Sequence, residues 1–133
     1  MKRKYYIIGI FTLILLIIST HKTKTVYDKF AKTTISNKEY DFGMISSNDT
    51  VIHTFVIKNI SNNPFVIAKI LPSCTCTIID SIPKKLYKKD ESLNIKTQFI
   101  PKTNQKGHVE NIVLVECDSE DRVIKLILKG EIK

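Results

Sequence analysis

The sequence has no tryptophan, only two alanines (Ala31 and Ala68) and four glycines among 133 residues. Isoleucine, valine and threonine are abundant instead. These β-branched residues lose side-chain freedom in helices and pack well on pleated sheets. The composition therefore excludes an all-α domain and favours a β-rich one.

The four glycines are isolated from one another, which removes the usual enzyme motifs. There is no P-loop, no dinucleotide-binding fingerprint and no Gly-x-Ser-x-Gly sequence around a nucleophile. We therefore predict that the protein is not an enzyme, that it has no catalytic or cofactor-binding residues, and that it uses no cofactor.

Acidic residues are absent from residues 1–24, which hold five of the 21 basic side chains. The formal charge of the whole chain is +8, but the remaining residues carry 16 basic and 13 acidic side chains. The body is thus only mildly basic, at +3. A face basic enough for nucleic acid is not required, and no nucleic-acid partner is predicted.

The N-terminal segment has the pattern of an export signal. Lys2, Arg3 and Lys4 precede an apolar run over residues 5–18, as in a charged region followed by a hydrophobic one. We predict a hydrophobic helix in residues 1–20 that is either a cleaved signal peptide or a retained anchor; if it is retained, residues 5–18 would lie in the membrane. A linker over 21–33 and a domain over 34–133 follow, and the domain is expected in the periplasm or cell envelope.

The body alternates short apolar strands with turn residues. Predicted strands begin near Tyr40 and continue over 51–59, 65–71, 78–79, 93–99, 112–117 and 123–132. Segments 81–90 and 101–107 are predicted loops. About seven strands at this spacing predict an all-β, immunoglobulin-like β-sandwich.

Five short motifs carry a family resemblance. They are Tyr-Asp-Phe-Gly-Met-Ile (40–45), His-Thr-Phe-Val-Ile-Lys-Asn (53–59), Ser-Asn-Asn-Pro-Phe-Val-Ile (61–67), Pro-Ser-Cys-Thr-Cys-Thr (72–77) and Lys-Gly-Glu-Ile (129–132). In this order they resemble the bacterial domain of unknown function 1573. The resemblance implies an immunoglobulin-like sandwich in the envelope and no established activity.

The chain departs from that family's pattern at three points. Thr75 replaces the family's glycine between the two cysteines, and Lys89-Asp90 replaces a Pro-Gly turn. No cysteine follows the apolar run as a lipoprotein anchor would require.

Cys74 and Cys76 are the candidate chemical site, and three interpretations stay open. In an extended strand they would lie on one face with Thr75 opposite. They would form a strained, reducible disulfide, bind a soft metal such as copper or zinc, or simply pack as small apolar residues. A third metal ligand would come from Met44, His53 or His108.

The remaining candidates are weaker. Cys117 is predicted to be a free thiol at the end of a buried strand, although a bridge to the cysteine pair stays open. Four lysines around Tyr87 form a solvated loop or meet an anionic lipid or polymer surface.

Together these features predict an exported binding or structural module. Its partner would be a protein or an envelope polymer, held at a sheet edge or loop end, and residues 123–132 are the proposed edge. The alternative function is redox chemistry or copper handling at Cys74 and Cys76.

Overall fold

The computed structural model describes residues 29–82 and 84–133. The predicted hydrophobic helix in residues 1–20 lies outside this part of the chain, as does most of the linker. In the described ranges no helix is long and apolar enough to cross a membrane. The strands are β1 (Thr33–Ile35), β2 (Glu39–Ile45), β3 (Val51–Asn59), β4 (Phe65–Pro72), β5 (Thr77–Ile79), β6 (Leu86–Tyr87), β7 (Ser92–Phe99), β8 (Gly107–Cys117) and β9 (Val123–Ile132).

The strands form two sheets, which confirms the predicted all-β sandwich. One sheet has four strands in the order β1-β3-β7-β5, and the other has five in the order β2-β9-β8-β4-β6. Neighbouring strands are antiparallel except β2 and β9, which are parallel. The described residues contain nine strands rather than about seven. The two unpredicted strands, β1 and β6, have three and two residues, too few to show an alternating pattern.

Alternation of side chains builds the core between the sheets. Along β3, Phe55 and Ile57 are buried while Thr54 and Val56 point outward. Successive residues of a strand face opposite sides, so one half of each strand covers the other sheet. The main cluster includes Phe55, Ile57 and residues from both sheets. A smaller cluster at one end contains Val51, Phe99, Val109 and Ile132.

Asn59 fixes the end of β3 from inside the core. Its side chain is fully buried, and its Nδ2 donates to the carbonyls of Asn63 at 2.7 Å and Tyr87 at 3.0 Å. Its Oδ1 accepts from the backbone N–H of Ser61 at 3.0 Å. A buried amide is stable only with its hydrogen bonds made, so this network ties the end of β3 to the β3–β4 turn and to β6.

The chain changes sheets between β1 and β2. β1 pairs only with residues 57–59 of β3, and the chain then crosses so that β2 pairs with β9. β2 carries a bulge between Asp41 and Met44, where Gly43 has a φ of +69°. The Phe42 ring lies directly over Gly130 of β9, where a Cβ would overlap the ring. Close docking of β2 therefore requires glycine at position 130.

Three details of the sequence-based prediction are wrong. β8 begins at Gly107 rather than at residue 112, so His108 lies on a strand and not in a loop. The buried polar Asn111 hid the alternation there. The segment 81–90 contains β6, whose Tyr87 is buried.

The third error concerns the predicted binding edge. β9 lies between β2 and β8 and is therefore an interior strand. Its parallel partner β2 is about ninety residues away in sequence, and local alternation cannot reveal such a pairing.

Candidate functional site

Cys74 and Cys76 lie in the turn between β4 and β5 and are joined by a disulfide. The N–H of Thr77 donates to the carbonyl of Cys74 at 3.2 Å, which closes a four-residue turn. The bend brings the two Cα atoms to 5.2 Å, within the range that a disulfide requires. The local bend that the disulfide interpretation required is present, and the exposed Thr75 occupies the turn without a glycine.

The turn is held by backbone bonds as well as by the sulfurs. The N–H of Ile100 donates to the carbonyl of Cys76 at 2.9 Å. The N–H of Cys76 itself donates to Sγ of Cys74, also at 2.9 Å. Cys76 packs against the smaller core cluster, whereas Thr75 is at the surface. The cysteine pair thus lies between the smaller core cluster and the solvent.

A buried asparagine lies beside the inner cysteine. Oδ1 of Asn111, on β8, is 3.5 Å from Sγ of Cys76. Among the described residues, three buried polar side-chain atoms have no hydrogen-bond partner: Nδ2 of Asn111, Oγ1 of Thr77 and the hydroxyl of Tyr87. Two of these belong to residues that contact or adjoin Cys76. Unmet polar groups are costly in a core, and two of the three lie beside this turn, which is the candidate site.

The candidate third metal ligands do not gather at the cysteines. The imidazole of His53 is stacked on the Tyr40 ring at 3.8 Å and meets Phe55 edge-on at 4.7 Å. Burial lowers the pKa of His53. Met44 is exposed on β2 and His108 is exposed on β8. Within residues 29–82 and 84–133 no three His, Cys, Asp or Glu side chains form a group able to hold a metal.

Cys117 is the last residue of β8 and is a free, half-buried thiol, as predicted. Its Sγ lies 3.3 Å from Oγ of Ser119. It lies in the segment that leads into the β8–β9 turn and takes no part in the disulfide.

The edge of β3 has an open portion that sequence reasoning missed. The N–H of Asn59 donates to the backbone carbonyl of Glu91 on the β7 side, whereas the N–H of Ile60 donates to the backbone carbonyl of Lys32 on the β1 side. Because the direction alternates along an antiparallel strand, Ile52, Thr54 and Val56 direct their backbone groups away from β7. The last pair between β1 and β3 is Ile35 with Ile57. This is a non-hydrogen-bonded pair, so the backbone bond that flanks it reaches Val56. In the described chain no strand pairs with Ile52 and Thr54.

The outer face of the four-stranded sheet is apolar beside that edge. Ile52 is 57% exposed, Val56 37% and Ile78 49%. Ile52 and Ile78 flank Gln98 in one row across β3, β7 and β5. The local sequence does not distinguish these exposed apolar residues from core residues, because the two sets differ only in the face of the sheet that they occupy.

The lysine-rich segment forms a second surface. Lys84 pairs with Glu91 at 2.7 Å and its Nζ lies 4.9 Å from the centre of the Tyr87 ring. Lys89 donates to Oδ1 of Asn62 at 3.0 Å. An open groove of about 430 Å³ lies here, lined by Asn62, Pro64, Leu86, Lys88 and Lys89.

The family assignment rests on a match that spans most of the chain. A sequence model of the family described as "Protein of unknown function (DUF1573)" matches residues 33–132. The chain belongs to this family. This confirms the resemblance drawn from the motifs, and the match covers all nine strands described here. No curated protein sequence matches the chain.

Solved structures share the fold of this DUF1573 member. A protein of unknown function from Porphyromonas gingivalis W83 superposes with a TM-score of 0.67 at 12% identity, over 76% of this chain and 46% of that one. The chain thus spans less than half of that protein. The ASH/PapD-like domain 7 of human CEP192 gives 0.58 at 15% identity, over 79% and 87%. Vibrio cholerae VesB protease gives 0.53 at 9%, over 77% and 31%. At these identities the likeness shows the immunoglobulin-like fold alone.

Proposed function

We propose that this domain is a non-enzymatic binding module of the cell envelope that takes an extended segment of a partner protein along the open edge of β3. One observation carries the proposal. Pairing with β1 stops at residue 57, which leaves the outward backbone groups of Ile52 and Thr54 on an edge that no described strand covers. An unpaired strand edge is a template for another strand.

The side chains along this edge specify the kind of partner. Residues 51–56 contain no acidic, lysine or arginine side chain, so nothing there repels an incoming strand by charge. Ile52 and Val56 are exposed on the outer face. A partner strand would satisfy the backbone groups and place apolar side chains at alternate positions beside these two residues.

Two further observations support the proposal. The N-terminal sequence has the pattern of an export signal or membrane anchor, which agrees with an envelope location. The likeness to the PapD-like domain of human CEP192 is compatible with a β-sandwich that acts as a binding module.

A blocked edge tests this function. A photo-crosslinking residue is placed at Ile52 of the full chain, expressed in its native cells, and crosslinked products are identified by mass spectrometry. Thr54→Pro removes one outward N–H and puts a ring in the path of a partner strand, but it breaks no bond to β7. We expect one defined protein to be captured, and capture to fall at least about tenfold in Thr54→Pro.

Two controls make the result specific. Thr54→Val keeps the backbone N–H and should capture the partner as the parent does. A crosslinker at Lys125, on the outer face of the other sheet, should not capture it. If the same protein is captured equally from Lys125, or if Thr54→Pro folds and captures it undiminished, then β3 is not the binding edge.

A further inference from the structure

We propose that Cys74 and Cys76 form a thiol–disulfide exchange site for a disulfide of a protein or small thiol, with Asn111 as its positioning residue. This activity is separate from binding at β3, which lies in the same sheet but uses other residues. Three features of the turn lead to it.

The first feature is that the disulfide is poorly placed to stabilise the fold. It links residues only two apart, and a short loop restricts the unfolded chain little. The turn is also closed without the sulfurs, by the bonds from Thr77 to Cys74 and from Ile100 to Cys76. Reduction would therefore leave the turn in place, with both sulfurs ready to rejoin.

The second feature is the N–H of Cys76, which points at Sγ of Cys74 from 2.9 Å. A hydrogen bond from a backbone N–H is strongest when its acceptor is charged. It therefore favours a thiolate on Cys74, which is the reactive form in exchange. This assigns Cys74 as the attacking sulfur and Cys76 as the resolving one.

The third feature is Asn111. In the disulfide neither sulfur carries a proton, so the Oδ1 beside Sγ of Cys76 receives no hydrogen bond from it. On reduction, the Cys76 thiol would donate to this oxygen. Only the reduced state supplies a thiol proton for this oxygen, so Asn111 favours the reduced state.

The reaction balances as a two-electron exchange. The Cys74 thiolate attacks a substrate disulfide, which forms a mixed disulfide and releases one substrate thiolate. Cys76 gives its proton to solvent and attacks Sγ of Cys74, which forms the Cys74–Cys76 bond and releases the second thiolate. Both thiolates take protons from solvent. The substrate disulfide is reduced to two thiols and the protein dithiol is oxidised; the reverse sequence oxidises a substrate dithiol.

The arrangement favours exchange over the metal alternative. A soft-metal site needs both sulfurs as thiolates and gains from a third ligand. The sulfurs are bridged, and His53 is stacked between Tyr40 and Phe55.

A redox titration tests the site. The full chain with Cys117→Ser, in mild detergent, is equilibrated with glutathione buffers, and its free thiols are alkylated and counted by mass. We expect a reversible transition of two thiols together, with the circular dichroism spectrum and Tm of the reduced protein close to those of the oxidised protein. A pair that stays bridged in excess dithiothreitol, or whose reduction unfolds the protein, would overturn the proposal.

Single-cysteine variants test the order of attack. In the same Cys117→Ser background, Cys76→Ser should accumulate a mixed disulfide with oxidised glutathione at Cys74. Cys74→Ser, as the matched variant, should react at least about tenfold more slowly, because Cys76 lacks a donor aimed at its sulfur. Equal rates would contradict the assignment of Cys74 as the attacking sulfur.

Replacing Asn111 tests its positioning role. Asn111→Leu keeps the approximate volume but cannot pair with a thiol, so the reduced state should become about tenfold less favoured, a shift of about 30 mV. Asn111→Ser restores a small donor and acceptor and should recover part of the shift, and it serves alone if the leucine variant does not fold. An unchanged equilibrium in the serine and leucine variants would remove Asn111 from the site.

Discussion

β9 of one sheet and β3 of the other differ in the charge of their exposed side chains, although both outer faces carry ion pairs, such as that of Lys96 with Asp80 on the four-stranded sheet. On the outer face of the five-stranded sheet, Lys129 pairs with Glu39 and Lys125 pairs with Glu110. On the four-stranded sheet, the corresponding positions of β3 are the uncharged Ile52, Thr54 and Val56.

The edge strands of the two sheets also differ in charge, and only one of them has a bulge. The long edge strand of the five-stranded sheet, β2, carries Glu39, Asp41 and a bulge, and charges and bulges are the usual protection of an edge. The open part of β3 has neither. Since one sheet of the same chain is protected, the bare edge of the other is a specific feature of β3 rather than a general property of the sequence.

The largest expected effect comes from removing the protection of the five-stranded sheet. In Gly130→Ala the new Cβ would overlap the Phe42 ring and lie 2.6 Å from the carbonyl oxygen of Gly43. β2 must move away from β9, so we expect a loss of about 3 kcal/mol in the free energy of unfolding by denaturant. Glu131→Ala, exposed on the same strand, should change it by less than about 0.5 kcal/mol.

Gly130→Ala should also leave the five-stranded sheet with an unprotected edge, as β3 leaves the four-stranded sheet. With β2 displaced, hydrogen exchange should accelerate along β9, which is an interior strand in the parent. Unchanged exchange in β9 would mean that β2 does not protect that edge.

The next effect concerns the closed end of β3, where the hydrogen bonds of Asn59 hold the strand. Asn59→Ala would leave the carbonyls of Asn63 and Tyr87 without their buried donor. We expect a loss of about 2 kcal/mol in the free energy of unfolding. Asn94→Ala, at an exposed position of β7, is the matched control and should be nearly neutral. If both variants cost the same, the Asn59 network does not hold the closed end.

These contrasts show which features of the fold the sequence could predict. Alternation identified the long strands β3, β7 and β9, because each buries every second residue against the other sheet. It could not identify the partners of a strand, which depend on contacts distant in sequence. The open edge therefore appeared to belong to β9, whereas the structure places it on β3.

The cysteine site was predictable in part. Two cysteines at this spacing drew attention to the turn, but their bend is held by Ile100, which follows β7, and their polar neighbour Asn111 comes from β8. The sequence around these two residues does not indicate that they lie near the cysteines, because their proximity depends on how the strands are arranged in the sandwich.

A smaller effect on stability is expected from the titration of His53, where the two sheets meet beneath the open edge of β3. His53 of β3 stacks on Tyr40 of β2, and burial lowers the pKa of His53 below its usual 6.5. The folded state thus disfavours the charged imidazole. Stability should be full above pH 6.5 and should fall as the pH drops below it, through the lowered pKa of the folded state. Tm measured from pH 8 to 5 should show this decline.

His53→Phe keeps an aromatic ring between Tyr40 and Phe55 without a titrating group. The decline between pH 6.5 and 5 should be absent from this variant. A parent and variant with parallel Tm profiles would show that His53 is not what links stability to pH in this range.

The smallest effect is expected at the charged outer face itself. The hydrogen bond and charge of Lys129 lower the pKa of Glu39 below its usual 4.5, and Glu39 raises that of Lys129. The contribution of Glu39 is present above pH 4.5 and is lost as the pH falls through its lowered pKa in the folded state. Because the pair is exposed to solvent and salt, Glu39→Gln should leave the Tm within error of the parent at neutral pH and moderate salt. Any difference in Tm between the two proteins should be confined to neutral pH at low salt, and it should vanish at acidic pH, where Glu39 is protonated in both the folded and the unfolded state. If Glu39→Gln instead lowers Tm strongly at pH 7, then the ion pairs stabilise this sheet itself, and their contrast with the uncharged β3 edge would reflect stability rather than protection from other strands.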